Sequence, residues 1–138
     1  MKVKIVYFSG TGNTREMATF IDRYWVELGH EVICQSIEEA DEDVEADIFC
    51  LGCPAYGVED IEAYEFRPYY ESLKPHMKNK KVILFGSYDW GEGKWMHNWV
   101  RETEDAGIEV DCALPVELTP NNDDFAEMKR KLDNVNFS

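Results

Sequence analysis

The chain has 138 residues, 44% of them hydrophobic, which is enough to bury one core, and residues 1–138 read as a single domain. Its 28 acidic and 14 basic residues leave a formal net charge of −14. That balance excludes a nucleic-acid grip built on clustered Lys and Arg and argues against an anionic membrane surface; it suits solubility or attraction to basic patches on other proteins.

The elements alternate along the chain. Lys2–Phe8 reads as strand 1, and a helix from about Thr14 to Leu28 carries Met17, Ile21, Tyr24, Trp25 and Leu28 at helical spacing as a buried stripe. Gly29 suits the end of that helix. Glu31–Ile37 is strand 2. Glu38–Asp47 holds seven acids in ten residues and is expected to be a solvated loop or short surface helix. Asp47–Leu51 is strand 3, a short apolar run. Phe66–Met77 is a helix with Pro68 in its first turn, and Lys81–Ser87 is strand 4. Lys94–Ala106 is a helix closed by Gly107. Ile108–Leu118 is strand 5, broken or bent at Pro115. Asp123–Val135 is the last helix, with Asn121 or Asn122 as its N-cap.

No apolar run approaches the roughly 18–20 residues of a membrane span. Met1–Phe8 is too short for a secretory-signal core and no small-residue cleavage site follows, so a cytoplasmic location is expected. Cys34, Cys50, Cys53 and Cys112 should then be reduced. Cys50 and Cys53 match C-x-x-C, but Cys50 lies in a strand, whereas a thioredoxin-type pair opens a helix. His30, His76 and His97 stand apart and suggest no metal site.

Five strands alternating with helices imply an α/β fold, a parallel sheet covered on both faces. Ligands of such folds bind outside the C-terminal ends of the strands. Three loops fall there: Ser9–Thr14, Gly52–Glu62 and Tyr88–Gly93. The first joins strand 1 directly to a helix and combines Gly10 and Gly12 with the hydroxyls of Ser9, Thr11 and Thr14 and the amide of Asn13. Glycines let the backbone approach closely, and successive N–H groups at a helix start attract an anion. No Lys follows Gly12, as a P-loop requires, and Arg15 occupies the third glycine of the dinucleotide fingerprint. The segment therefore suits a phosphate but neither a P-loop nucleotide nor a classical dinucleotide.

Ser9-x-Thr11-Gly12-x-Thr14 resembles the (Ser/Thr)-x-Thr-Gly-x-Thr phosphate loop of flavodoxins. Phe85–Met96 is similar to the second flavin loop of short-chain members. The likeness covers essentially the whole chain. It implies a flavodoxin-like three-layer sandwich with a five-stranded parallel sheet of order 2-1-3-4-5, an order that flavodoxins themselves exemplify. It implies FMN as cofactor, bound without a covalent link by Ser9, Gly10, Thr11, Gly12, Asn13 and Thr14 at the phosphate. Pro54, Ala55, Tyr56, Gly57, Val58 and Glu59 with Ser87, Tyr88, Asp89, Trp90 and Gly91 would complete the cofactor site, Pro54 at a position whose Ser in some relatives helps hold the phosphate and Tyr88 as either core or flavin edge. In the family pattern Trp90 covers the outer face and Tyr56 the inner. Glu59 accepts a hydrogen bond from flavin N3, and the Gly57 carbonyl turns toward N5–H, favouring a neutral semiquinone. Asp60, Glu62, Glu65 and Glu92 would add to the negative field around the ring.

Three positions depart from that pattern. Pro54 stands where some relatives carry Ser, Val58 adds a β-branched side chain after the turning glycine, and Asp89 puts an acid where Gly is common. The function implied is a low-potential one-electron carrier, not an enzyme. Its partners would be reductases and acceptor enzymes with basic docking patches, and the chain would act as a monomer with no nucleic-acid or membrane partner. The alternative is an FMN-dependent NAD(P)H or quinone reductase of the same fold, which needs a pocket for a second substrate. A phosphoacceptor receiver would need acids after strand 1 and an Asp ending strand 3, where this chain has Ser9-Gly10 and Leu51-Gly52.

Overall fold

The computed structural model describes residues 1–56 and 60–135. The elements are β1 (Lys2–Tyr7), α1 (Asn13–Glu27), β2 (Glu31–Ser36), β3 (Ile48–Gly52), α2 (Phe66–Met77), β4 (Lys81–Tyr88), α3 (Lys94–Asp105), β5 (Cys112–Glu117) and α4 (Asn122–Asp133), with one 3₁₀ turn at Gly91–Gly93. All strand pairs are parallel, in the order β2-β1-β3-β4-β5. This is the predicted fold.

Side-chain alternation along the strands divides the core in two. Val3, Ile5, Ile48, Cys50, Ile83, Phe85 and Leu114 pack against α1 and α4. Val6, Phe49, Leu51, Cys53, Val82 and Leu84 pack against α2 and α3. Cys50 and Cys53 therefore belong to opposite faces and form no redox pair. Burial raises both thiols, Cys53 to about 12, so neither is a ready thiolate.

Met17, Ile21 and Trp25 are buried as their spacing predicts, but Leu28 is exposed because α1 ends before it can face the sheet. Tyr24 is half-buried and donates to Asp133 Oδ1 at 2.7 Å, tying α1 to α4. Strand 5 starts at Cys112, four residues later than its apolar pattern suggests, because Ile108 instead covers the α2–α3 side. Pro115 does not break it. The strand lies at the sheet edge, where a residue without N–H is tolerated, and Pro115 stays in register with Gly86. Asn121 caps α4 in a reciprocal box with Asp124, at 2.9 and 3.0 Å.

Two acids expected to lie at the surface serve the interior. Lys4 of β1 is fully buried, and its ammonium reaches the Asp41 carboxylate at 2.5 Å and the Asp43 carbonyl. The acidic connection 38–47 is thus in part a clamp on a central strand. Its hydrogen bond from Lys4 holds the Asp41 carboxyl down at about 2. Glu62 is 4% exposed, and its carboxylate accepts from the N–H groups of Tyr64, Glu65 and Phe66 at 2.8, 2.7 and 2.8 Å, satisfying donors at the start of α2. Burial opposes the charge, but the three donors outweigh it and hold the carboxyl below its usual value.

Because the folded Glu62 pKa is depressed, its stabilisation is complete above the ordinary value of 4.5 and fades as pH falls through the folded value. Glu62→Gln should cost about 1–3 kcal/mol at pH 7, from the lost charge-assisted bonds. Urea unfolding at pH 7 and pH 3 checks both points: the loss should be clear at neutral pH and shrink in acid.

Candidate functional site

At the C-terminal ends of the strands the chain turns from β1 into α1 within a few residues. Gly12 makes the turn at a φ of 97°, a left-handed conformation that glycine adopts without strain. Ser9 Oγ accepts from Gly12 N at 3.0 Å and Arg15 N at 3.3 Å, so the loop is braced by its own first hydroxyl. Thr14 is buried beneath it, with Oγ1 3.3 Å from Ser87 Oγ of β4. Asn13 Oδ1 accepts from Thr119 Oγ1 at 3.2 Å, which joins the loop to the segment after β5.

Two arms face this loop. Cys53–Tyr56 continues β3 and remains bonded to β4, Cys53 N to Phe85 O and Ala55 N to Ser87 O, each at 3.0 Å. Gly86 makes that approach possible: a Cβ there would lie 2.1 Å from the Cys53 carbonyl oxygen. Tyr56 meets Phe8 edge to face at 5.8 Å and is 49% exposed, its outer surface open. The second arm leaves β4 through Tyr88, Asp89 and Trp90, then turns back at Gly91, Glu92 and Gly93, with φ values of 85°, 56° and 79°. Three successive left-handed residues reverse the chain sharply and leave Trp90 56% exposed, while Tyr88 packs against Trp95 at 5.4 Å.

Between loop and arms lies a cleft of about 240 Å³, lined by Gly10, Thr11, Asn13, Pro54, Ala55, Tyr56, Ser87, Tyr88, Asp89 and Leu118. Ser9 and Gly12 do not line this cleft; with Gly10, which lines both, they border a second hollow of about 570 Å³ beside Arg15, Glu38, Glu39 and Glu65. Thr14 lies below the cleft, and Trp90 and Gly91 stand beside it without lining it. Gly57, Val58 and Glu59 lie outside the described residues.

Sequence reasoning missed Leu118. Its φ is 58°, and its N–H reaches the Tyr88 carbonyl at 2.7 Å. A non-glycine residue there costs of order 1–3 kcal/mol and clusters at functional sites, but nothing in the local sequence signals it. Glu62 and Asp60, expected from sequence to act on the ring's field, are otherwise engaged. Glu62 faces inward, and Asp60 is paired with Arg67 at 2.6 Å. Among the described residues, Asp89 lines the cleft as an exposed acid, Glu92, Glu117 and Asp60 are exposed beside its lining residues, and Glu38, Glu39 and Glu65 line the neighbouring hollow. Among the described residues no group of three or more His, Cys, Asp or Glu side chains could hold a metal ion.

The donor set is asymmetric. One end offers hydroxyls, an amide and the N–H groups of a helix start, with no carboxylate in the loop itself, which fits an anion. The other end offers Pro54, Ala55, Tyr56 and Tyr88, which fit a flat aromatic group. A ligand with a phosphate at one end and a ring system at the other, such as FMN, matches both.

A doubly wound sheet with such a cleft at its switch point places the chain among the open α/β proteins that hold a ligand outside the C-terminal ends of their strands. A model of the family described as "Flavodoxin" matches residues 5–131. The chain is 43% identical over 122 residues to the flavodoxin of Megasphaera elsdenii, covering 87% of this chain and 89% of that one. It is 39% identical over 138 residues to the flavodoxin of Clostridium beijerinckii, covering 96% and 100%. The solution structure of two-electron reduced Megasphaera elsdenii flavodoxin superposes with a TM-score of 0.83 at 40% identity, over 94% of this chain and 96% of that one. The chain belongs to the flavodoxin family, whose members bind FMN and transfer electrons to and from other proteins.

Gly86→Ala should push the Cys53 carbonyl, a backbone group with no freedom to swing aside, and cost about 1–3 kcal/mol. The same shift moves Ala55 and Tyr56, so FMN affinity should fall as well. Urea unfolding and FMN titration of the apoprotein measure the two effects.

Proposed function

We propose that the cleft is the FMN site of a one-electron carrier and that the chain's own residues divide the work. Ser9, Gly10, Thr11, Gly12, Asn13 and Thr14 hold the phosphate. Pro54, Ala55 and Tyr56 on one side and Ser87, Tyr88, Asp89, Trp90 and Gly91 on the other hold the ring, with Tyr56 and Trp90 supplying one face each. Gly57, Val58 and Glu59 complete the first arm, Glu59 accepting a hydrogen bond from the pyrimidine edge. FMN supplies the redox chemistry when bound. The protein binds the anion, excludes water from the ring faces, and sets a negative field around it.

The observation that carries this reading is the cleft itself: a hydroxyl-bearing helix start on one wall and aromatic arms on the other. The exposed acids around it and the neighbouring hollow, Glu38, Glu39, Glu65, Asp89 and Glu92, give partners with basic patches a place to dock, near the edge where electrons enter and leave. Reductases and acceptor enzymes would bind there in a salt-dependent way. The chain would work as a monomer in the cytoplasm. Among the described residues no helix is long and apolar enough to cross a membrane.

Titration of the apoprotein with FMN tests the site. Flavin fluorescence should be quenched to a 1:1 end point, and Trp90→Ala and Tyr56→Ala should each weaken binding; apoprotein that takes up no FMN overturns the reading. A second expectation concerns Asp89, which lines the cleft. An acid there disfavours added negative charge on the ring, so Asp89→Asn should raise the second reduction potential by about 20–40 mV, the size of one partly screened charge about 8 Å away. Spectroelectrochemistry of the two proteins would show an unchanged or lowered potential if the acid plays no such part.

A further inference from the structure

Arg67 projects from the first turn of α2 and is about one-quarter exposed. It makes three ion pairs, one to the segment before α2, one to α3 and one within its own helix. Its guanidinium reaches Asp60 Oδ1 at 2.6 Å, Glu102 of α3 at 2.8 and 3.2 Å, and Glu71 of its own helix at 3.4 Å. The two-pronged contact to Glu102 fixes the guanidinium plane against α3. Glu102, then Asp60, hold its pKa above the usual arginine value.

Asp60 is the far end of the first cofactor arm. Tyr56 and Asp60 form an isolated antiparallel bridge, Tyr56 N to Asp60 O at 2.8 Å and Asp60 N to Tyr56 O at 3.2 Å. Asp60 Oδ1 also accepts from Ile61 N at 2.7 Å, and Ile61 is buried. Beyond this bridge the Tyr56 ring leans on Phe8, and half its surface is open. The residue that would cover one face of the ring is therefore tied to the rigid layer of α2 and α3 through Asp60 and Arg67.

We propose that Arg67 is a positioning residue for the cofactor site, acting through Asp60 to hold Tyr56 at the cleft. This role rests on the cleft being the FMN site. A surface ion pair alone contributes little, but one arginine shared among several acids is already ordered, so each added pair costs less entropy. Neither Arg67 nor Asp60 lines the cleft, and this role does not follow from the phosphate-loop motif.

The sign of one substitution separates positioning from charge. Asp60→Asn keeps Oδ1, which accepts from both Ile61 N and Arg67 Nη2, but removes the charge that strengthens the arginine contact, and it leaves Arg67 on Glu102, so the fold is retained. Removing a negative charge near an anionic ligand should tighten binding by Coulomb's law. Loosening the Tyr56 arm should weaken it. FMN titration of the apoproteins should therefore show Asp60→Asn binding about three- to tenfold more weakly than the native chain. Glu71→Gln removes the same charge from the same arginine without touching the arm, and should leave the dissociation constant within about twofold. Arg67→Gln should weaken binding at least as much as Asp60→Asn, and Arg67→Lys should restore part of the loss. Unchanged or tighter binding by Asp60→Asn, or equal losses in Asp60→Asn and Glu71→Gln, would overturn the proposal while native binding upholds the FMN site. A native chain that binds no FMN overturns both.

Discussion

Gly12 takes the chain from a buried central strand into a helix within a few residues, and the cofactor end of the molecule depends on that turn. β1 is flanked by β2 and β3, so its last residues open at the point where the strand order reverses. Because Ser9 Oγ already accepts from Gly12 and Arg15, the loop is shaped by contacts inside the protein. If this loop holds the phosphate as proposed, its backbone needs little ordering on binding, and less of the binding energy is lost to conformational entropy. Thr14 and Asn13 extend the same bracing sideways, to β4 and to the segment after β5.

The facing wall is built by the opposite device, backbone against backbone. Without a side chain at Gly86, the Cys53 carbonyl can lie against β4 and accept from Trp95 Nε1 at 3.2 Å, and the arm to Tyr56 follows from that contact. The arm's other end is secured by charge. In a chain of net charge −14, acids are plentiful, and several also serve structure: Asp41 on Lys4 and Asp60 on Arg67 while still half exposed, and Glu62 buried on the start of α2.

The sheet order and the phosphate turn were legible because each rests on local rules. Alternation of short apolar runs with helical stripes demands a parallel sheet, and Ser9–Thr14 sits at a strand-to-helix junction where hydroxyls and glycines together suit an anion. Tyr56 drew notice for a similar reason, as an aromatic in a loop at the ligand end of the strands, and it does line the cleft; Tyr88 lines it from the end of β4, while Trp90 stands outside its lining. What escaped was non-local. The inward turn of Glu62, the burial of Lys4 under Asp41 and the link from Arg67 to Asp60 depend on which elements meet in space, and no periodicity records that. Leu118 escaped differently: a leucine carries no sign of a left-handed backbone. Cys50 and Cys53 show the converse case, a motif by spacing that the period of a strand sends to opposite faces of the sheet.

Stepwise anaerobic reduction of the FMN-loaded protein, followed by absorbance against potential, tests the one-electron carrier most directly. Two reduction steps separated in potential, each consuming one electron, are the predicted result. A single two-electron step would contradict it and would favour a hydride-accepting reductase on the same fold.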